Sequence, residues 1–322
     1  MTAGVGQLIQ VNDFNSIRTK INNVMGIGTD GYGQALTSID ATNSTIQTAT
    51  FWNNLRIDLA KCRGHQTGNN ELLNLLEPVS TTPSAGQVQV ISEAVRSQYD
   101  TMADACVTNK RVVASGQGSP EAITNGVGTR STAWKVKITH SVTTAFTSAL
   151  EARYFFNAGG QIRFSASRTG GATNNKNTIW ENLLQQQGTI YMDYTGTGQA
   201  IAATPTNLFG TSTTIGFFDL TTSDQQIYIK NAAAGVYAEN NYRILARLNT
   251  AFGSGTEPTS IIFTIEFNDA DTGDQQGGYL PGPAVDENVT GTLTSTVSMF
   301  RPSGSNVSVT GPTISSPTFS GS

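Results

Sequence analysis

The sequence predicts an α+β protein: a helical N-terminal domain, then an antiparallel β-sandwich with helical insertions, then an extended C-terminal arm. Three observations carry this. Apolar residues recur at helical spacing up to about residue 115. Beyond residue 130 the apolar period changes to two. The last twenty residues, Ser303 to Ser322, hold no charge and carry Pro312 and Pro317 among Ser, Thr, Gly and Val. The expected organisation is a helical assembly domain over 1–115, a Gly/Ser-rich linker over 116–130, a sandwich over 131–302 and an arm over 303–322.

The first helix is expected over Asp13–Met25, where Phe14, Ile17, Ile21 and Val24 share a face, Asp13 stands as N-cap and Gly26 follows the end. The run Gly26-Ile27-Gly28-Thr29-Asp30-Gly31-Tyr32-Gly33-Gln34 is too glycine-rich for helix and reads as a tight loop. A second helix is expected from Thr48 to Cys62, ended by Gly64, and a third from Ser84 or Gln87 to Asn109. In the sandwich, alternation marks strands at Trp134–His140, Ile162–Ala166, Thr189–Tyr194, Thr213–Leu220, Ile227–Ile229, Tyr242–Leu248, Ile261–Phe267 and Thr292–Phe300. Two helical insertions are expected, at Thr147–Phe156 and Asn177–Gln187. In the arm, Val307, Val309 and Ile314 alternate as a strand would, although the prolines argue against a central one. Two readings stand for it: a frayed tail, or an extended arm that adds to a neighbouring subunit by strand addition.

Composition narrows the function. Of 322 residues only 13% are charged, with two histidines and two cysteines. Catalysis needs titratable groups converging in a pocket, and this chain has few to place there. The net charge of -4 gives no basic field for nucleic acid. No apolar stretch approaches the ~20 residues that span a bilayer. The N-terminus lacks the basic and apolar regions of a signal peptide, so synthesis in a cytoplasm is expected. There Cys62 and Cys106 read as ordinary thiols, with a bridge as the alternative.

Several clusters invite a functional reading. The Gly26–Gln34 loop lacks the Lys-Ser/Thr ending and preceding strand of a phosphate loop, so Tyr32 is expected to pack back onto the helices. Asp269, Asp271 and Asp274 are a weak calcium candidate, with a solvated acidic turn as the favoured reading. Cys62 and His65 have no second pair at metal-ligand spacing, and His140 ends a strand. Arg153, Arg163 and Arg168 gather near glycine runs and read as the solvent or interface side of a strand, or as a groove for an acidic sugar. Glu151, Glu181, Glu239, Glu257 and Glu266 show no paired spacing for glycoside hydrolysis. No catalytic residue, metal or cofactor is expected.

Two stretches carry a resemblance. One runs from Phe14-Asn15-Ser16-Ile17-Arg18-Thr19-Lys20-Ile21 through Val24-Met25-Gly26 to Gly31-Tyr32-Gly33-Gln34. The other is Ala152-Arg153-Tyr154-Phe155-Phe156-Asn157-Ala158-Gly159-Gly160-Gln161-Ile162-Arg163-Phe164. Both resemble tail-fibre-like virion structural proteins of tailed bacteriophages, particularly contractile-tailed phages of cyanobacteria and other marine bacteria, although Met25 stands where Leu is expected. The resemblance implies a virion component of the tail or neck and no catalytic residue. The resulting expectation is a non-enzymatic homo-oligomer, trimer or hexamer, made in the host cytoplasm, that meets other tail or neck proteins. Tyr32, Gln34, Arg153, Arg163, Val307, Val309 and Ile314 are its assembly candidates. The alternative is a carbohydrate-binding module of the tail that recognises a host surface glycan.

Overall fold

The computed structural model describes residues 11–27, 31–42, 48–68, 76, 91–111, 126–201, 210–233, 237–270, 288–304 and 307–321. It is an α+β fold with sandwich-like antiparallel sheets. The chain divides into two compact units. The first takes Met1–Val113, Arg153–Ala158 and Pro302–Thr310; the second takes Ala114–Ala152, Gly159–Arg301 and Gly311–Ser322. The expected arm is therefore divided, its first part in one unit and its last in the other.

In the first unit, the helices Val11–Met25 (α1), Ala49–Thr67 (α2) and Glu93–Thr108 (α3) enclose one apolar core. The face of α1 bearing Phe14, Ile17, Ile21 and Val24 packs with Trp52, Leu55 and Leu59 of α2 and with Tyr99 and Ala103 of α3. Phe14 meets Trp52 edge-on at 5.0 Å. Asp13 lies inside the first turn of α1 and does not cap it, a position the helix dipole still favours. Thr48 and Ser92 cap α2 and α3 through their hydroxyls. Gly64 does not end α2. Buried Cys62, Arg63, His65 and Gln66 hold the helix through it, and Gly68 ends it at φ 70°. The Asp58 carboxylate, fully buried, accepts from Thr37 N, Ser38 N and Ser38 Oγ at 2.7–2.8 Å and so pins the 31–42 loop to α2.

In the second unit, the first sheet runs Val127–Arg130 (β1), Thr292–Phe300 (β10), Gln161–Thr169 (β3), Thr189–Met192 (β4) and Thr197–Ile201 (β5). The second runs Thr313–Ile314 (β13), Val136–Ala145 (β2), Ser260–Asp269 (β9), Asn241–Leu248 (β8), Gln225–Asn231 (β7) and Gly210–Ser212 (β6), with Thr318–Gly321 (β14) also on β2. Every pairing among the described residues is antiparallel. Register fixes the core: Ile138, His140, Val142 and Thr144 stand opposite Phe267, Ile265, Phe263 and Ile261. These in turn stand opposite Tyr242, Ile244, Ala246 and Leu248. The first sheet contributes Ile162, Phe164 and Val297, and Phe164 packs edge-on to Phe263 at 4.8 Å. Between β3 and β4 the helix Asn175–Gln187 (α5), capped by Asn174, sets Trp180 against Trp134 and Phe267. The helix Ala149–Asn157 (α4) precedes β3, and Ser303–Gly304 (β11) pairs with Val307–Ser308 (β12).

Further expectations are corrected in the second unit. Residues 127–130, expected as linker, form β1. Thr213–Leu220 is no strand: Gly216 lies so close to Tyr194 O that any Cβ would clash, and Phe217–Asp219 form a 3-10 turn. On β7 a bulge between Gln226 and Tyr228 brings Tyr228 and Lys230 into line with Ile244 and Tyr242, while Ile227 is also buried. Val136 sits at φ 74°, with Lys137 N donating to Lys135 O at 3.0 Å. That tight turn resets the alternation, so Trp134 and Ile138 are buried and Val136 is exposed.

Lys176 Nζ lies 2.8 Å from Asp269 Oδ2 with both side chains fully buried. Asp269→Ala removes the carboxylate that faces this buried ammonium, so urea unfolding of the sandwich, followed by tryptophan fluorescence, is expected to lose about 3–5 kcal/mol. Replacing both residues by apolar ones of similar size is expected to restore most of it.

Candidate functional site

The residues singled out in the sequence are mostly absorbed into the structure. Tyr32 N donates to Val24 O and Gln34 N to Met25 O, so the glycine loop satisfies carbonyls left open at the end of α1. The Tyr32 ring is buried 5.1 Å from the His65 ring, with the Arg111 guanidinium 5.7 Å from its centroid. Its hydroxyl donates to Lys110 O, and Gln66 Nε2 donates to Cys106 O at 2.7 Å. Burial raises the phenol well above its ordinary value. Asn157 Nδ2 lies 3.0 Å from His65 Nδ1, and the amide donates. Burial, then Arg153, lowers His65 to about 3. Cys62 and Cys106 are free and buried, and burial followed by hydrogen bonding to Cys106 pushes the Cys62 thiol up.

Asp269 is held by Lys176, while Asp271 and Asp274 lie outside the described residues. Among the described residues no group of three or more His, Cys, Asp or Glu is placed to hold a metal, and no helix is long and apolar enough to cross a membrane.

Arg163 and Arg168 do not share one groove. Arg163, buried on the outer face of β3, donates from Nε and Nη2 to Gln161 Oε1 and lies 4.7 Å over the Phe300 ring. Arg168, five residues on, takes the opposite face and donates to the carbonyls of Thr290, Asn177 and Gly170. Arg153 belongs to the first unit. Glu266, on the outer face of β9, accepts from Arg243 and from Lys137 Nζ. Burial pushes its carboxyl up, and these bonds outweigh that and leave it below the ordinary range. An open groove of about 420 Å³ lies in the first unit between Arg63 and the Ala94, Ser97, Thr101 and Met102 face of α3.

Val307, Val309 and Ile314, named above as assembly candidates, are buried within their own chain at 2–3% exposure. The apolar alternation of the tail is satisfied internally, and its last part is seated along β2. Ser315 N donates to Thr143 O and Thr143 N to Ser315 Oγ, both at 2.9 Å. Arg130 Nη1 donates to Gly321 O at 3.1 Å. Phe319, in register with His140, stacks on its imidazole at 5.0 Å and 22°. Beneath the ring lies Gly128, where a Cβ would come within 2.6 Å of Phe319 and 3.2 Å of Pro317. His140 Nδ1 lies 2.5 Å from Ser295 Oγ, and among the described residues its buried Nε2 has no hydrogen-bond partner.

A serine hydroxyl on a histidine is half of a nucleophile–base pair, but among the described residues no acid orients this imidazole, and an aromatic ring covers it. The arrangement is suited to seating a strand. Sequence reading passed over Phe319 and Ser295. The isolated glycine in β1 was the one available signal, because such a glycine marks close approach of another group. No family model matches the chain, and no curated protein or solved structure matches it.

Burial alone lowers His140 to about 4. Unfolding returns both imidazoles to 6.5, so below that pH the unfolded chain binds protons the folded chain refuses, and stability falls. The loss levels off only below about 4 for His140 and about 3 for His65. Each contributes a slope of ~1.4 kcal/mol per pH unit within its window. Urea titrations across that range are expected to show His140→Phe less stable at neutral pH, from the stranded Ser295 hydroxyl, yet with a flatter acid limb.

Proposed function

We propose that this chain is a non-enzymatic structural component of a phage virion, a homo-oligomeric tail or neck appendage of the fibre-like or adaptor type. The observation that supports it most is the outer face of the five-stranded sheet. Thr292, Thr294, Thr296 and Ser298 of β10 lie beside Ser165, Ser167 and Thr169 of β3, a broad field of hydroxyls. Arg163 shares that face but is itself buried.

Such a face binds a second protein surface through hydrogen bonds without the cost of desolvating charge. Many of the ionisable groups are already engaged within the chain: Lys176 with Asp269, Arg243 and Lys137 with Glu266, Arg168 with backbone carbonyls. Their role in this reading is to fix the fold. Closed rotational symmetry, threefold or sixfold, is the natural way to repeat such a face. In this reading the chain is made in the host cytoplasm and joins other tail or neck proteins.

Purified particles from infected hosts, analysed by mass spectrometry and by antibody-labelled electron microscopy, test this. Label at the tail or neck in fixed stoichiometry is the expected result. A chain abundant in lysate and absent from particles would overturn it.

A further inference from the structure

We propose that Cys62 and Cys106 are a redox-sensitive dithiol, open in reducing surroundings and closed to a disulfide by exchange with a small-molecule disulfide, so that oxidation locks α2 to α3. The inference goes beyond the assembly reading and does not depend on it.

The first argument is placement. The chain holds two cysteines, more than forty residues apart in sequence. As ordinary small core residues they could lie anywhere among the side chains that the three helices enclose. The fold instead brings them together: both are fully buried in that core, and the Cys62 thiol hydrogen-bonds to that of Cys106. Contacts on either side fix the approach. Trp52 of α2 packs on Tyr99 of α3 with ring centroids 6.2 Å apart, and Gln66 Nε2 donates to Cys106 O at 2.7 Å. Cys62 lies one turn before Gln66, on the stripe of α2 that carries Leu55 and Leu59, and Cys106 follows Tyr99 and Ala103 at helical spacing on α3. The helices thus set the two thiols against each other before any bond forms.

The second argument is chemical access. The thiolate is the nucleophile, and burial disfavours it, so the closed fold exchanges slowly. Cys106, however, sits in the last turn of α3, and helix ends open at lower free energy than helix middles. Once exposed, one thiolate attacks the small disulfide; its S–S bond breaks, one small thiol leaves with a proton, and a mixed disulfide forms. The second protein thiolate then attacks the protein sulfur of that mixed bond and expels the other small thiol. Two protein thiols are oxidised and one small disulfide is reduced to two thiols. Reducing surroundings run the same exchange backward. The bridge closes a loop of more than forty residues, which restricts the unfolded chain and stabilises the helices it joins.

The full-length chain is held with oxidised or with reduced glutathione, either folded or during refolding from urea. It is then denatured in acid, alkylated and weighed intact. Reduced samples are expected to take up two alkyl groups, and oxidised samples none, with a single-chain mass and no bound glutathione. The oxidised protein is expected to unfold about 5–10 °C higher. Cys62→Ser or Cys106→Ser is expected to abolish that rise in the same buffer. Two alkylated thiols after both oxidising treatments would overturn the inference. So would glutathione left on both cysteines, or a bridged chain that unfolds at a lower temperature than the reduced one.

Discussion

Strand β9 is paired along its whole length, with β2 on one side and β8 on the other, and the rest of the sandwich takes its positions from that double pairing. Because side chains alternate, one register places Ile261, Phe263, Ile265, Phe267 and Asp269 on the inner face; a slip of one residue would turn Glu266 inward and the phenylalanines out. Phe263 then meets Phe164 of the opposite sheet, Phe267 meets Trp180 of α5, and Asp269 meets Lys176 at the start of that helix. The buried ion pair is thus a consequence of register.

The same pairing leaves β2 with one side occupied and one side open, and the C-terminal segment fills the open side. His140 shows the consequence. It lies on the inner face opposite Ile265, bonds across the sheets to Ser295 and is covered by Phe319 from the chain's last strand. Three segments distant in sequence meet at this imidazole, and dehydration keeps it neutral. Both groups of this Ser–His contact are fully buried.

How much of this was legible follows from where each signal resides. The α1 face and the strands β8, β9 and β10 were legible because helical spacing and strict alternation are written locally in Phe14–Val24, Tyr242–Leu248, Ile261–Phe267 and Thr292–Phe300. Gly64 misled because intrinsic propensity is small beside the packing of Cys62 and Gln66, which continues the helix through it. β1 was hidden in a glycine-rich stretch whose pairing partner, β10, lies far along the chain. Tyr32 was placed correctly as packing back onto the helices, since an aromatic flanked by glycines has little else to bury against. Asp269 was misread as part of a solvated turn because its partner, Lys176, is nearly a hundred residues away and only the fold brings them together. The His140 seat depends on three such distant partners, and no local pattern announces it.

The central proposal is that this chain, with many of its charges engaged internally, meets other copies through uncharged surface. Sedimentation velocity of the purified chain over a concentration series, at low and at high salt, tests it most directly. The account predicts a closed oligomer whose population rises with concentration and hardly responds to salt, since screening weakens only contacts between exposed charges. A monomer at every concentration, or an oligomer that dissociates when salt is added, would contradict it.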